Sequence, residues 1–264
     1  MSQPALPLPP SRHPHAAPPP LALPSPGASR SRAPWKPIRD RAAVIAFGGL
    51  WMLACAQLVP ALVESMRREP AFAAAALLGI AAGHLLADFV AGCVHWLADR
   101  HFDPDTPVLG PILIAPFRAH HEDPLSISRH DLFEVLGNNA LVTLPVVAAL
   151  SFAPPPGSAL AVFSITLALA GSFAAVATNL FHAWAHAERP PRLARALQAS
   201  GLILTPARHA RHHRSAHDRA YCVTSGWLNP LLDGTRFFAR LDERIAGIRP
   251  GRVRPRGRRH PVER

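Results

Sequence analysis

Four long apolar segments limit what this chain can become. The first, AAVIAFGGLWMLACAQLVPALV at 42–63, contains no charge. The second is AFAAAALLGIAAGHLLADFVAGCVHWLA at 71–98. ALVTLPVVAALSFA at 140–153 is short and holds Pro145, and SALAVFSITLALAGSFAAVATNLF at 158–181 is again uncharged. Roughly 20 apolar residues cross a bilayer core. Segments one, two and four meet that length. The third reads as a short span, a tilted span or a buried core helix. Two uncharged stretches of membrane length argue against a soluble helical core. The expectation is an all-α membrane protein with about four transmembrane helices and a cytoplasmic histidine-rich helical cap.

The basic residues orient the spans. Six lie in the N-terminal stretch through Arg41, three in 99–139 and seventeen after residue 182, whereas the opposite connections hold only Arg67 and Arg68. The positive-inside rule puts both termini and the 99–139 region in the cytoplasm, with a bacterial inner membrane as the expected location. The formal net charge is +11, and every basic residue except Lys36 is arginine. Such a balance suits an acidic partner, and anionic lipid head groups fill that role. Residues 1–40 are expected to be a disordered Pro-rich tail, since so polar and Pro-rich a stretch buries too little apolar surface to order itself. Residues 246–264 are expected to be a disordered Arg-rich tail, leaving 41–245 as the membrane domain. Three scattered cysteines, Cys55, Cys93 and Cys222, supply no disulfide framework and no cysteine-based metal site.

Histidines carry the chemistry. Of fifteen, twelve run from His84 to His217, and eleven of those fall at the cytoplasmic ends of the apolar segments or in the cytoplasmic loops. Asp88, His95 and Asp99 share one helical face at the end of segment two. His84 lies on that face but about 16 Å from His95, too far to share a metal. Asp88 is a ligand or an acceptor for a ligating imidazole. His120 and His121 are adjacent and point apart on a helix, so they serve two metals, or one binds while the other hydrogen-bonds. His130 is as readily a structural hydrogen-bonding residue. His182 and His186 are four apart, a bidentate metal grip, with Asn179 one turn earlier. In RHARHHRSAH, His209, His212 and His213 sit at helical spacing, and His217 follows four residues on.

Eight to ten imidazoles from four segments exceed the needs of one tetrahedral site, and two metals with open positions fit the number. The H-E-x-x-H pattern of a hydrolytic zinc enzyme is missing. Oxygen chemistry at a di-iron centre on the membrane surface becomes the leading reading. Nucleic-acid binding by RHARHHRSAH is disfavoured, since no aromatic residue interleaves the run for base stacking. A transporter would place ligands nearer the bilayer midplane.

Four ordered blocks give a specific resemblance. They are DFVAGCVHWLAD at 88–99, PFRAHHEDPLSISRHDLFEVLGNN at 116–139, TNLFHAWAH at 178–186 and HARHHRSAHDRAYCVTSGWLNPLLD at 209–233. Together they resemble the membrane lipid desaturases of the plasmanylethanolamine desaturase (CarF-type) family. His101 and Ala216 depart from that family's pattern, and neither removes a matched histidine. The resemblance implies an enzyme with two iron ions that uses O2 and two electrons to desaturate a membrane phospholipid or ether lipid. In the founding activity a plasmanylethanolamine becomes the vinyl ether of a plasmalogen. A related branch desaturates an acyl chain of plastid phosphatidylglycerol, and the FRxHHxDP…RHD block looks more like the ether-lipid branch. On this reading His95, His120, His121, His130, His182, His186, His209, His212, His213 and His217 are the metal-ligand candidates. Asp88, Asn138 and Asn179 are candidates for supporting or weak ligand roles. With no haem, flavin or nucleotide fingerprint in the chain, electrons come from an external donor, a b-type cytochrome or ferredoxin with an acidic face. Two further readings stand beside this one: an acyl-lipid desaturase or hydroxylase with the same metal layer, and a non-catalytic membrane metal-binding protein or transporter.

Overall fold

The computed structural model describes residues 35–214 and 217–248. The expected disordered head up to residue 34, the tail from 249 onward and the Ala216 departure lie outside the described residues. Nine α-helices make up the fold among the described residues, with no strand. They are α1 (Lys36–Arg68), α2 (Ala71–Arg100), α3 (Ala115–Glu122), α4 (Leu132–Leu150), α5 (Ala159–His186), α6 (Arg192–Ala199), α7 (Pro206–His213), α8 (Asn229–Gly234) and α9 (Phe237–Ile248). A single π-helical turn, Gly110–Ile114, leads into α3.

Helices α1, α2, α4 and α5 are each long and apolar enough to cross a membrane. The short third segment is the informative case. Its helix begins at Leu132, capped by the Asp131 carboxylate accepting from the Glu134 N–H at 2.9 Å, and runs 19 residues. That is about 28 Å, close to a bilayer core. The hydropathy of 140–153 missed the first two turns because they carry Glu134, Asn138 and Asn139.

At the N-terminus, α1 starts at Lys36, inside the stretch expected to be disordered. Pro37 fits the first helical turn, where its missing N–H costs nothing. Lys36 and Arg39 both pair with the buried Asp40. Arg39 also reaches Asn138 Oδ1 on α4, so the helix start is anchored. At the other end α9 continues to Ile248, past the expected boundary at 245.

Short connections, 69–70 and 151–158, make α1–α2 and α4–α5 antiparallel pairs, and the Arg39–Asn138 bond sets the starts of α1 and α4 side by side. The C-terminal ends of α2 and α5 therefore meet at one end of the bundle, beside the N-terminal ends of α1 and α4. Helix α2 packs mainly on α5, and α1 on α4. At the α2–α5 crossing a Cβ on Gly83 would lie 2.4 Å from the Leu167 carbonyl oxygen and 2.8 Å from the Gly171 nitrogen. Only glycine permits that backbone approach, the usual means of packing helices in lipid, where apolar burial gives no driving force. Outward-facing Ile45, Met52, Leu77, Leu78 and Leu160 are exposed. In hydrocarbon such exposure carries no penalty.

Beyond the spans, α6 to α9 fold over that end of the bundle. A strap without regular secondary structure, 220–226, is buried throughout. A buried strap must have its backbone polar groups satisfied, and side chains do much of this. Asn229 makes a two-way bond with Cys222, and Asp233 accepts from the Ala220 N–H. Helix α9 is latched by buried Asp242, which accepts from Trp96 Nε1 at 2.9 Å and Arg100 Nε at 3.0 Å and meets His101 Nε2 at 3.0 Å. His101 thus belongs to the α2–α9 latch.

Candidate metal centre

Four elements deliver the histidines to the same end of the bundle. Helix α2 supplies His95 and, four residues on, Asp99. Helix α5 supplies His182 and His186 at the same spacing. Helix α3 brings His120 and His121. Helix α7 is nucleated by the Thr205 hydroxyl accepting from the Arg208 N–H at 3.2 Å, with Pro206 in its first turn. It presents His209, His212 and His213 on its inner side.

The side chains sort into two groups. His120, His182, His186, His209 and His213 form one, and His95, Asp99, His121 and His212 the other. Within each group, one possible ligand atom per residue lies within 4.8 Å of all the others. Both adjacent pairs, His120–His121 and His212–His213, divide between the groups. Two residues pointing apart on one helix face two neighbouring positions, so α3 and α7 hold the positions side by side. Ring centroids across the divide are 5.7 Å apart for His120–His121 and 6.2 Å for His95–His182.

The donor set fits cations. In the first group His209 Nε2 lies 2.8 Å from His182 Nε2 and 3.0 Å from His213 Nε2, while His120 Nε2 is 3.1 Å from His213 Nε2. One proton cannot satisfy three converging ring nitrogens, whereas a shared metal ion accepts every lone pair. In the second group His212 Nε2 is 3.1 Å from His121 Nε2 and 3.5 Å from Asp99 Oδ2, and His95 Nε2 is 3.3 Å from Asp99 Oδ2. His212 Nδ1 lies 2.8 Å from the Arg219 carbonyl and His95 Nδ1 3.1 Å from the Tyr221 carbonyl. A carbonyl accepts only from N–H, so Nδ1 carries the proton and Nε2 keeps its lone pair for the site.

Protonation is suppressed in the same direction. Burial, reinforced by neighbouring imidazoles, lowers His120 to about 2 and His121 to about 3. Burial and His217 lower His213 to about 4. His209 and His212 are pushed well below their ordinary value, chiefly by burial. Neutral imidazole is the form that binds a metal. Mixed imidazole and carboxylate donors without thiolate suit iron, and also zinc or copper.

The remaining expected residues lie outside these two groups. His217 stacks on His121, with centroids 4.0 Å apart and rings inclined by 6°. His130 Nδ1 lies 3.7 Å from Glu134 Oε1 at the start of α4. Asp88 turns its carboxylate to the backbone amides of the strap. Asn138 Nδ2 donates to the Ile112 carbonyl, and Asn179 Nδ2 lies 3.5 Å from Asn139 Oδ1. His84 packs edge-on against Trp227, at 5.6 Å between centroids. Asp99 is the residue that was not singled out as a ligand. Its signal was present in the His95–Asp99 spacing of four, equivalent to that of His182 and His186.

The lipid desaturase domain matches residues 84–257, well over half of the chain. The chain belongs to the lipid desaturase domain family. Every member of both histidine groups falls inside the matched region. Over 169 residues the chain is 42% identical to a plasmanylethanolamine desaturase of Myxococcus xanthus, covering 64% of this chain and 60% of that protein. It is 39% identical over 181 residues to plasmanylethanolamine desaturase 1 of Mus musculus, covering 65% of each. Fatty acid desaturase 4, chloroplastic, of Arabidopsis thaliana is 35% identical over 176 residues, 64% of this chain and 52% of that protein. The chain thus spans under two thirds of the length of these relatives. No solved structure matches it.

Proposed function

We propose that the protein is a membrane-embedded di-iron lipid desaturase that forms the vinyl ether of a plasmalogen from a plasmanylethanolamine. The observation that carries this is the pair of adjacent metal-ready groups at the end of four apolar helices, in a chain related to plasmanylethanolamine desaturases. The net change is balanced: a –CH2–CH2– unit, O2, two electrons and two protons give –CH=CH– and two waters. Iron held by His120, His182, His186, His209 and His213, and by His95, Asp99, His121 and His212, would supply the oxygen and electron chemistry.

The protein's own part is positioning and exclusion of water. Phe117 and Tyr221 stand edge-on to His95, with centroids at 5.2 and 5.7 Å, and wall the second group with apolar surface. Carbonyls of the cap hold the His95 and His212 rings in the ligating tautomer. The lipid head group stays at the interface while its chain reaches the bundle end. Both termini face the cytoplasm of a bacterial inner membrane, where the basic surface meets anionic head groups and a b-type cytochrome or ferredoxin brings the electrons.

The relation to a chloroplast fatty acid desaturase favours a second reading, an acyl-lipid desaturase or hydroxylase with the same ligands. Lipid mass spectrometry of a host with and without the gene separates the two. Acid-labile vinyl ethers are expected, and they should disappear with His212→Ala. A new acyl double bond or hydroxyl supports the second reading. Unchanged lipids refute both.

A further inference from the structure

We propose that Asp88 is a positioning residue for the second metal position, acting through the strap without touching a ligand. The inference rests on reading His95, Asp99, His121 and His212 as a metal site. Asp88 is fully buried. Its Oδ1 accepts from the N–H groups of Thr224, Ser225 and Gly226 at 2.9, 2.8 and 3.0 Å, and its Oδ2 meets the Leu228 N–H at 3.4 Å. A buried carboxylate is costly unless charge-assisted bonds of this kind surround it. Here they fasten the strap to α2.

The other attachment to α2 is His95 itself, whose Nδ1–H donates to the Tyr221 carbonyl. Asp88 and His95 are seven residues apart on the helix, a rise of about 10.5 Å. Tyr221 and Thr224 are three residues apart, a reach of up to about 10 Å. The strap therefore runs antiparallel to α2 in matching register. Between the two attachments a Cβ on Gly92 would come within 2.6 Å of Cys222 Sγ, so the strap lies directly on the helix. Two residues before Tyr221, the Arg219 carbonyl accepts from His212 Nδ1. Fixing 224–226 thus sets the carbonyls that orient both His95 and His212. In the first group, by contrast, the buried Nδ1 atoms of His120 and His209 have no hydrogen-bond partner among the described residues. The strap also accepts from Arg208 Nη1 at the Ser225 carbonyl and meets Thr178 Oγ1 through Thr224 Oγ1. But the ring nitrogens its end orients are those of His95 and His212, so Asp88 acts chiefly on the second position.

Metal stoichiometry tests this without any turnover. The full chain in detergent is titrated with Co(II) by calorimetry, and metal per chain is counted by mass spectrometry. Wild type is expected to bind two ions. Asp88→Ala should retain one and bind the second at least about 10-fold more weakly, the range seen when outer partners of ligands are removed. Asp88→Asn keeps the oxygen that receives three N–H groups and should restore two. If Asp88→Ala does not fold, Asn229→Ala decides, because it releases the strap at Cys222 and should weaken the same position. Two ions bound at wild-type affinity by the tested variant overturn the proposal, as does loss of an ion in Asp88→Asn equal to that in Asp88→Ala. A wild type that binds fewer than two ions overturns both this and the di-metal reading. A wild type with two ions but no desaturated lipid removes the activity and leaves the role of Asp88 intact.

Discussion

Replacing Gly83 with alanine adds one methyl group far from either metal-ready group, yet it should damage the metal centre. The new Cβ would stand 2.4 Å from the Leu167 carbonyl oxygen, against 3.4 Å for an ordinary contact. Because the obstructing atoms are backbone, α2 and α5 must separate by about 1 Å. Overpacking of this kind costs about 1–3 kcal/mol. Alanine returns up to about 1 kcal/mol of helix propensity over glycine. The net loss of up to about 2 kcal/mol corresponds to a fall of up to about 8 °C in Tm for a chain of this size. The same two helices carry His95 with Asp99 and His182 with His186, about 18 Å further along from Gly83. Catalytic groups misplaced by 1 Å lose about 100-fold in rate, so a 10- to 100-fold loss of desaturation is expected. Thermal scans in detergent, Co(II) titration and lipid analysis read these effects. Gly48→Ala on α1, where a Cβ meets nothing within 4 Å, is the control. A Gly83→Ala protein with the melting temperature, metal content and activity of the Gly48→Ala control refutes the argument from close approach.

Removing the α9 latch with Asp242→Ala strands buried Arg100 and should cost about 3 kcal/mol, read as a lower unfolding temperature; stability equal to wild type would mean that the latch is idle. The metal-free protein should lose stability as pH falls from about 6.5 to 5. His120, His121 and His213 titrate near 2, 3 and 4 when folded but near 6.5 when unfolded, so the unfolded chain gains protons first and acid favours it. A flat melting temperature over that interval contradicts the burial of neutral imidazoles, and metal loading should flatten the slope. His130→Ala should keep both Co(II) ions, because that ring faces Glu134 outside both groups; loss of an ion in calorimetry would show that it reaches the site.

Much of this was legible in the residues themselves. Hydropathy depends on local composition, so three spans could be read directly, whereas α4 stayed open between a short span and a buried helix because its first turns are polar. The i, i+4 spacings of His182–His186 and His209–His213 are properties of one helix, and they announced ligand pairs before any tertiary contact was known. Charge counts gave an orientation by rule, and four motif blocks gave the family. What spacing could not decide was partnership. Ten histidines and several carboxylates looked alike as candidates, because distance along the chain says nothing about which helices cross. The fold divides His120 from His121 and His212 from His213, draws Asp99 in with His95, and leaves His130 on Glu134 and His217 stacked on His121. It also turns Asp88 away from the imidazoles toward three backbone amides more than 130 residues distant. Those assignments follow from the close glycine crossing of α2 on α5 and from a buried strap whose backbone had to find partners, and both are properties of packed surfaces that local sequence does not encode.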